Sequence, residues 1–153
     1  MGFLNTIKEI VKADPIVSES TPIATSATPL KKVLIVEDEK SISDALVEVF
    51  KSEGFDAITA ENGKVGLEVI AAQIPDIVLL DLMMPVMDGK TMLMKLRDIP
   101  EFKKLPVIIL TNAGDAENMT NTKLYGGASE FLIKANVNMG ELVQKVKMHV
   151  STY

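Results

Sequence analysis

The sequence predicts an α/β fold, a doubly wound five-stranded parallel sheet with five helices over its two faces. Three observations predict it. Short β-branched runs bounded by polar turns recur, at Val33-Leu34-Ile35-Val36, Ile77-Val78-Leu79-Leu80, Val107-Ile108-Ile109-Leu110 and Phe131-Leu132-Ile133, as buried parallel strands do. Segments of helical length separate them, which is the alternation that builds parallel sheets covered on both sides. Each run also leads into a polar residue: Glu37-Asp38, Asp81, Thr111 and Lys134. In an open parallel sheet the ligand crevice lies at the carboxyl ends of the strands, so these side chains are expected on one rim.

Strand one spans 32–36, and a helix follows over 41–52 with Gly54 as its stop. The second strand, 57–59, is the weakest. Its helix covers 64–73, where Pro75 blocks continuation. Strand three is 77–81, followed by a loop over 83–88 and a helix over 89–97. Strand four is 107–111, and the fourth helix runs over 116–125 up to Gly126-Gly127. Strand five is 130–134, and the last helix is 139–150.

Ahead of this pattern, residues 1–30 form an N-terminal extension, leaving 31–153 as the domain. Phe3, Leu4, Ile7, Ile10 and Val11 recur at helical spacing, so 1–12 reads as a short amphipathic helix, marginal on its own. Residues 13–30 hold Pro15, Pro22 and Pro29 among Ser, Thr and Ala and read as a flexible linker.

Composition narrows the function. The chain has 153 residues, of which 47% are hydrophobic and only 5% aromatic, so its core is aliphatic. Nine Met residues are suited to filling irregular gaps. The absence of Cys excludes disulfides, thiolate catalysis and thiolate-bound metal. A net charge of −5 without a basic stripe argues against direct nucleic-acid binding. No apolar stretch is long enough to cross a bilayer, and the N-terminus lacks the order of a secretory signal. The expectation is a cytoplasmic protein without membrane attachment. Met1-Gly2-Phe3-Leu4-Asn5-Thr6 formally fits a myristoylation pattern, which carries little weight in so short a match.

Glu37, Asp38 and Asp81 make an acidic cluster if strands one and three are neighbours. Carboxylates held that close repel one another, and a hard divalent cation relieves the repulsion. Mg²⁺ suits a site with few carboxylates, retained waters and a phosphate oxygen. Thr111 adds a hydroxyl and Lys134 an ammonium, so the rim could hold such a cation and pass a phosphoryl group to a carboxylate. A solvated acidic loop, a strand-end hydroxyl and a surface lysine are the plain alternatives, and the matched strand ends argue against all three together.

From about residue 31 to 149 the chain resembles the receiver domains of two-component response regulators. The residues that carry the resemblance are Val33-Leu34-Ile35-Val36-Glu37-Asp38-Glu39, Asp81-Leu82-Met83-Met84-Pro85-Val86-Met87-Asp88-Gly89, Leu110-Thr111, and Gly127-Ala128 through Phe131-Leu132-Ile133-Lys134. The second block is the specific one. The resemblance implies a flavodoxin-like strand order, 2-1-3-4-5. It implies that Asp81 accepts a phosphoryl group from a sensor histidine kinase or a phosphotransfer protein. Asp38, Asp81 and the backbone carbonyl of Met83 would bind Mg²⁺ directly, with Glu37 acting mainly through water. Lys134 would pair with phosphoryl oxygens, and Thr111 would hydrogen-bond them. Phe131, at the family's aromatic switch position, would turn inward. Output would pass through the face made by helix four, strand five and helix five, to an unknown protein target or a phosphorylation-dependent dimer. Such a domain regulates rather than turning over substrate, although it catalyses its own phosphorylation and dephosphorylation.

Two residues depart from the family pattern. Ala135 stands where Pro usually follows the lysine in a cis bond, so either a costly non-proline cis bond is present or the loop reaches the site in trans. Asn112 replaces a small residue beside Thr111. Competing readings fare less well. A phosphorylation-independent interaction module on this fold would usually have lost a carboxylate or the lysine. An FMN site would need a Ser/Thr-rich loop where Glu37-Asp38-Glu39 stands. A dinucleotide site would need G-x-G-x-x-G there. A haloacid-dehalogenase-like phosphatase would need Asp at Met83. The favoured reading is a phosphoacceptor switch without an attached output domain.

Overall fold

The computed structural model describes residues 28–116 and 127–151. The expected helix over 1–12, most of the linker, and the body of the expected fourth helix lie outside the described residues.

Five parallel strands form one sheet in the order β2-β1-β3-β4-β5. They are β1 (Lys32–Val36), β2 (Asp56–Ala60), β3 (Ile77–Asp81), β4 (Val107–Thr111) and β5 (Glu130–Ile133). The helices are α1 (Lys40–Ser52), α2 (Gly63–Gln73), α3 (Gly89–Arg97), the short α4 (Ala113–Ala116) and α5 (Met139–Ser151). A 3₁₀ turn, Pro100–Phe102, was not anticipated.

The central strands bury both faces, which is why they read as unbroken apolar runs. Leu34, Val36, Val78, Leu80, Val107 and Ile109 face one way, against Leu67 and Ile70 of α2 and Met92, Leu93 and Leu96 of α3. Val33, Ile35, Ile77, Leu79, Ile108 and Leu110 face the other, against Leu46 and Phe50 of α1 and Leu142 and Val146 of α5. Two aliphatic layers therefore clamp one sheet, and Phe50 and Phe55 meet edge to face at 5.5 Å beneath α1.

Element bounds shift by a residue where local capping decides them. α2 starts at Gly63 because the buried Asn62 side chain accepts the Val65 amide as an N-cap. α1 ends as expected, with Gly54 at φ 85°, a left-handed position suited to glycine. β5 stops at Ile133, so Lys134 leaves the strand before reaching the rim. No helix of the described residues is long and apolar enough to cross a membrane.

Candidate functional site

The pairing of β1 with β3, in which Val36 stands beside Leu80, brings Glu37 and Asp81 together at the carboxyl ends of adjacent strands. Both are buried, and Asp38 beside them is exposed. One carboxylate oxygen from each lies within 4.8 Å of the other two. Glu37 is held by its own backbone, whose amide donates to the Ala60 carbonyl at 3.0 Å. Its Oε1 accepts the Glu39 amide at 3.1 Å.

Lys134 reaches this acidic rim from the far side. Its Nζ donates to Glu37 Oε2 at 2.7 Å and lies 3.4 Å from Asp81 Oδ1. Its backbone amide donates to the Thr111 carbonyl at 2.8 Å, which fixes the start of the side chain. Among the described residues there is no cis peptide bond, so the Lys134-Ala135 bond is trans and the loop reaches the site without one.

The charges are unevenly balanced. Burial pushes the carboxyls of Asp81 and Glu37 above the usual carboxylate range, and Lys134 offsets this only in part. Burial would also push the Lys134 ammonium down. Its hydrogen bond to Glu37 and the charges of Asp81 and Glu37 outweigh that and hold it above the ordinary lysine value. Three carboxylate oxygens held within 4.8 Å of one another are a donor set suited to a hard cation with oxygen ligands. Glu37, Asp38 and Asp81 therefore fit Mg²⁺.

The loop after Asp81 is tightly built. The Met83 amide makes a long contact to Asp81 Oδ1, at 3.5 Å, while the Met83 side chain is 62% exposed. Val86 has φ 67°, a strained value for a β-branched residue. Gly89 closes the loop, its amide donating to the Leu82 carbonyl at 3.0 Å. A Cβ on Gly89 would sit 2.1 Å from the Asp81 carbonyl oxygen, so only glycine fits. Asp88 caps α3 by accepting the Thr91 amide at 2.7 Å.

Thr111 ends β4, with its side chain buried and its hydroxyl donating to the Asn112 carbonyl at a long 3.4 Å. Phe131 stands apart from the cluster, on β5 opposite Ile109, and is 40% exposed. The structure thus gathers Glu37, Asp38, Asp81 and Lys134 and leaves Thr111 at the edge and Phe131 outside. Sequence reasoning missed Asn62 and Gly63, which brace the site: the Gly63 amide donates to the Met87 carbonyl at 2.9 Å. An Asn directly ahead of a helical pattern was the signal available.

Residues 33–147 match the family model described as "Response regulator receiver domain". The chain belongs to the receiver domain family of response regulators. This receiver domain is 37% identical over 101 residues to the sporulation initiation phosphotransferase F of Bacillus subtilis, covering 66% of this chain and 80% of that protein. It is 38% identical over 103 residues to the response regulator PleD of Caulobacter vibrioides, covering 67% of this chain but only 22% of PleD. Among solved structures, the Thermotoga maritima response regulator TrrA in complex with Mg²⁺-BeF aligns with a TM-score of 0.69 and 31% identity, over 78% of this chain and 99% of that one. The receiver domain of a Francisella response regulator aligns at 0.71 and 31%, over 80% of this chain and 98% of that one.

Proposed function

We propose that this receiver domain is a phosphoacceptor signalling switch in which Asp81 is the nucleophile. An Asp81 carboxylate oxygen attacks phosphorus in the phosphohistidine of a sensor histidine kinase or phosphotransfer protein. The P–N bond breaks, the imidazole leaves, and an acyl phosphate forms on Asp81. The observation that carries the proposal is the rim itself: a buried carboxylate on a central strand, two further carboxylates within 4.8 Å, and a lysine 3.4 Å from the nucleophile.

The remaining residues take roles that suit their positions. Glu37, Asp38, Asp81 and the backbone carbonyl of Met83 would hold Mg²⁺. When bound, that ion neutralises the charge that accumulates between carboxylate and phosphoryl oxygens, the chief demand of phosphoryl transfer. Lys134 moves from Glu37 to a phosphoryl oxygen. Thr111 exchanges its long bond to Asn112 for one to the phosphoryl group and draws its loop inward. Phe131, exposed beforehand, then packs inward and changes the face made by α4, β5 and α5. That face speaks to a downstream protein or to a second copy of the domain. The Mg²⁺-BeF complex of TrrA, a relative with 31% identity, supports the metal and phosphoryl parts of this reading.

The test is incubation with Mg²⁺ and a small phosphodonor such as acetyl phosphate, read by intact mass and by size in solution. The wild-type chain should gain one phosphoryl group that is labile to hydroxylamine, and Asp81→Asn should gain none while remaining folded. Phosphate uptake by Asp81→Asn at the wild-type rate would overturn the assignment.

A further inference from the structure

The chain contains no cysteine, so its thioethers are the sulfur available to a two-electron oxidant. Met84 and Met92 are buried and Met87 is half-buried. Met83, Met94, Met139 and Met148 are exposed. Met94, Met139 and Met148 sit on helices α3 and α5, away from the loop that follows Asp81. Met84 being buried and Met87 half-buried, Met83 alone among the exposed methionines of the described residues lies in that loop. It is two residues from Asp81, its amide is directed at Asp81 Oδ1, and its side chain is 62% exposed. The neighbouring Pro85 and Val86 are exposed as well, so solvent reaches the loop freely.

We infer that Met83 is an oxidation site through which peroxide sets the lifetime of the phosphoryl group on Asp81. The inference rests on the proposed function of Asp81. The Met83 sulfur attacks one oxygen of hydrogen peroxide and the O–O bond breaks. That oxygen stays on sulfur as the sulfoxide, and the other leaves as water after a proton shift. Sulfur gives up two electrons and the peroxide accepts them. A thioether is a poor hydrogen-bond acceptor, whereas a sulfoxide oxygen is strongly polar. The change places a polar acceptor beside the acyl phosphate, where it can hold the hydrolytic water in line. An apolar guard becomes a polar one with no change of backbone, and reduction of the sulfoxide restores it.

The experiment compares untreated and peroxide-treated full-length chain, each phosphorylated with acetyl phosphate and Mg²⁺, freed of donor, and followed as the acyl phosphate decays. Peptide mapping locates the added oxygen. Met83→Leu, treated identically, keeps the other exposed methionines and lacks this sulfur. Oxidation at Met83 should speed decay at least about threefold. Met83→Leu should decay at one rate before and after treatment, and methionine sulfoxide reductases should restore the slow rate of the parent chain. Three results would each overturn the inference: Met83 staying unoxidised while Met94, Met139 and Met148 react, an unchanged lifetime in protein oxidised at Met83, or the same acceleration in Met83→Leu. If untreated chain accepts no phosphoryl group, the function of Asp81 fails first and this inference falls with it.

Discussion

The Lys134 ammonium is bonded to Glu37 at 2.7 Å and stands farther, at 3.4 Å, from Asp81. The cation of the rim thus leans on a carboxylate that the metal would need, and away from the proposed nucleophile.

Glu37, Asp38 and Asp81 would hold a divalent ion, and the Lys134 ammonium competes with it for Glu37. Lys134→Met removes the competing charge, so Mg²⁺ should bind about three- to tenfold more tightly to the unphosphorylated variant. Asp38→Asn should bind it more weakly. Titration calorimetry, or melting temperature against Mg²⁺ concentration, reads both. Weaker binding by Lys134→Met would mean that the lysine supports the metal site rather than competing for it.

The phosphorylated form should be long-lived. In receiver domains the residues two beyond the phosphoacceptor and two beyond the threonine flank the approach of hydrolytic water, and here they are Met83 and Ala113. Neither side chain can orient a water by a strong hydrogen bond. Met83→Asn or Met83→Glu should therefore shorten the lifetime by at least about threefold. Decay of the parent as fast as that of the polar variants would place control of the lifetime elsewhere.

Val86 stores strain in the loop beside Asp81. Its φ of 67° costs a β-branched residue about 1–2 kcal/mol, and the side chain is 80% exposed, so it recovers little by packing. Val86→Gly should stabilise the domain by about 0.5–1 kcal/mol after the entropy cost of glycine is subtracted. Denaturant midpoints measure this. Destabilisation would show that Val86 holds contacts worth more than its strain.

Glu130 ties β5 to α5. It accepts from Lys145 and is 3.0 Å from His149 Nε2. Burial pushes its carboxyl up, but the Lys145 and His149 hydrogen bonds outweigh that and hold it below its ordinary value of 4.5. Between the lowered value and 4.5 the unfolded chain binds the proton more readily than the folded one. The stabilisation is therefore present above pH 4.5 and is lost as pH falls through the lowered value. Glu130→Gln should melt below the parent at neutral pH, and the two should converge in acid. A gap that holds constant or widens on acidification would contradict this linkage.

Much of this protein was legible in its sequence because parallel strands buried on both faces must be nearly all apolar. β1, β3 and β4 could be bounded from their β-branched runs alone, and the polar residue closing each run had to lie on one rim once the strands were parallel. The edge strand β2 extends one residue beyond the expected 57–59 at each end, to the polar Asp56 and the small Ala60, neither of which marks a strand by its type. The start of α2 moved by a residue because Asn62 caps it, whereas α3 and α5 start where the pattern placed them.

Sequence by itself determined the layered architecture, the lack of thiol chemistry and the set Glu37, Asp38, Asp81, Thr111 and Lys134. Those follow from composition and period, which are local properties of the chain. Only the tertiary structure decided that Lys134 pairs with Glu37 across 97 residues, that Lys134-Ala135 is trans, that Val86 is strained and that Phe131 stands outside the cluster. Those depend on where strand register and loop geometry aim each side chain, and on which groups are desolvated together. No residue type carries that information in its own position.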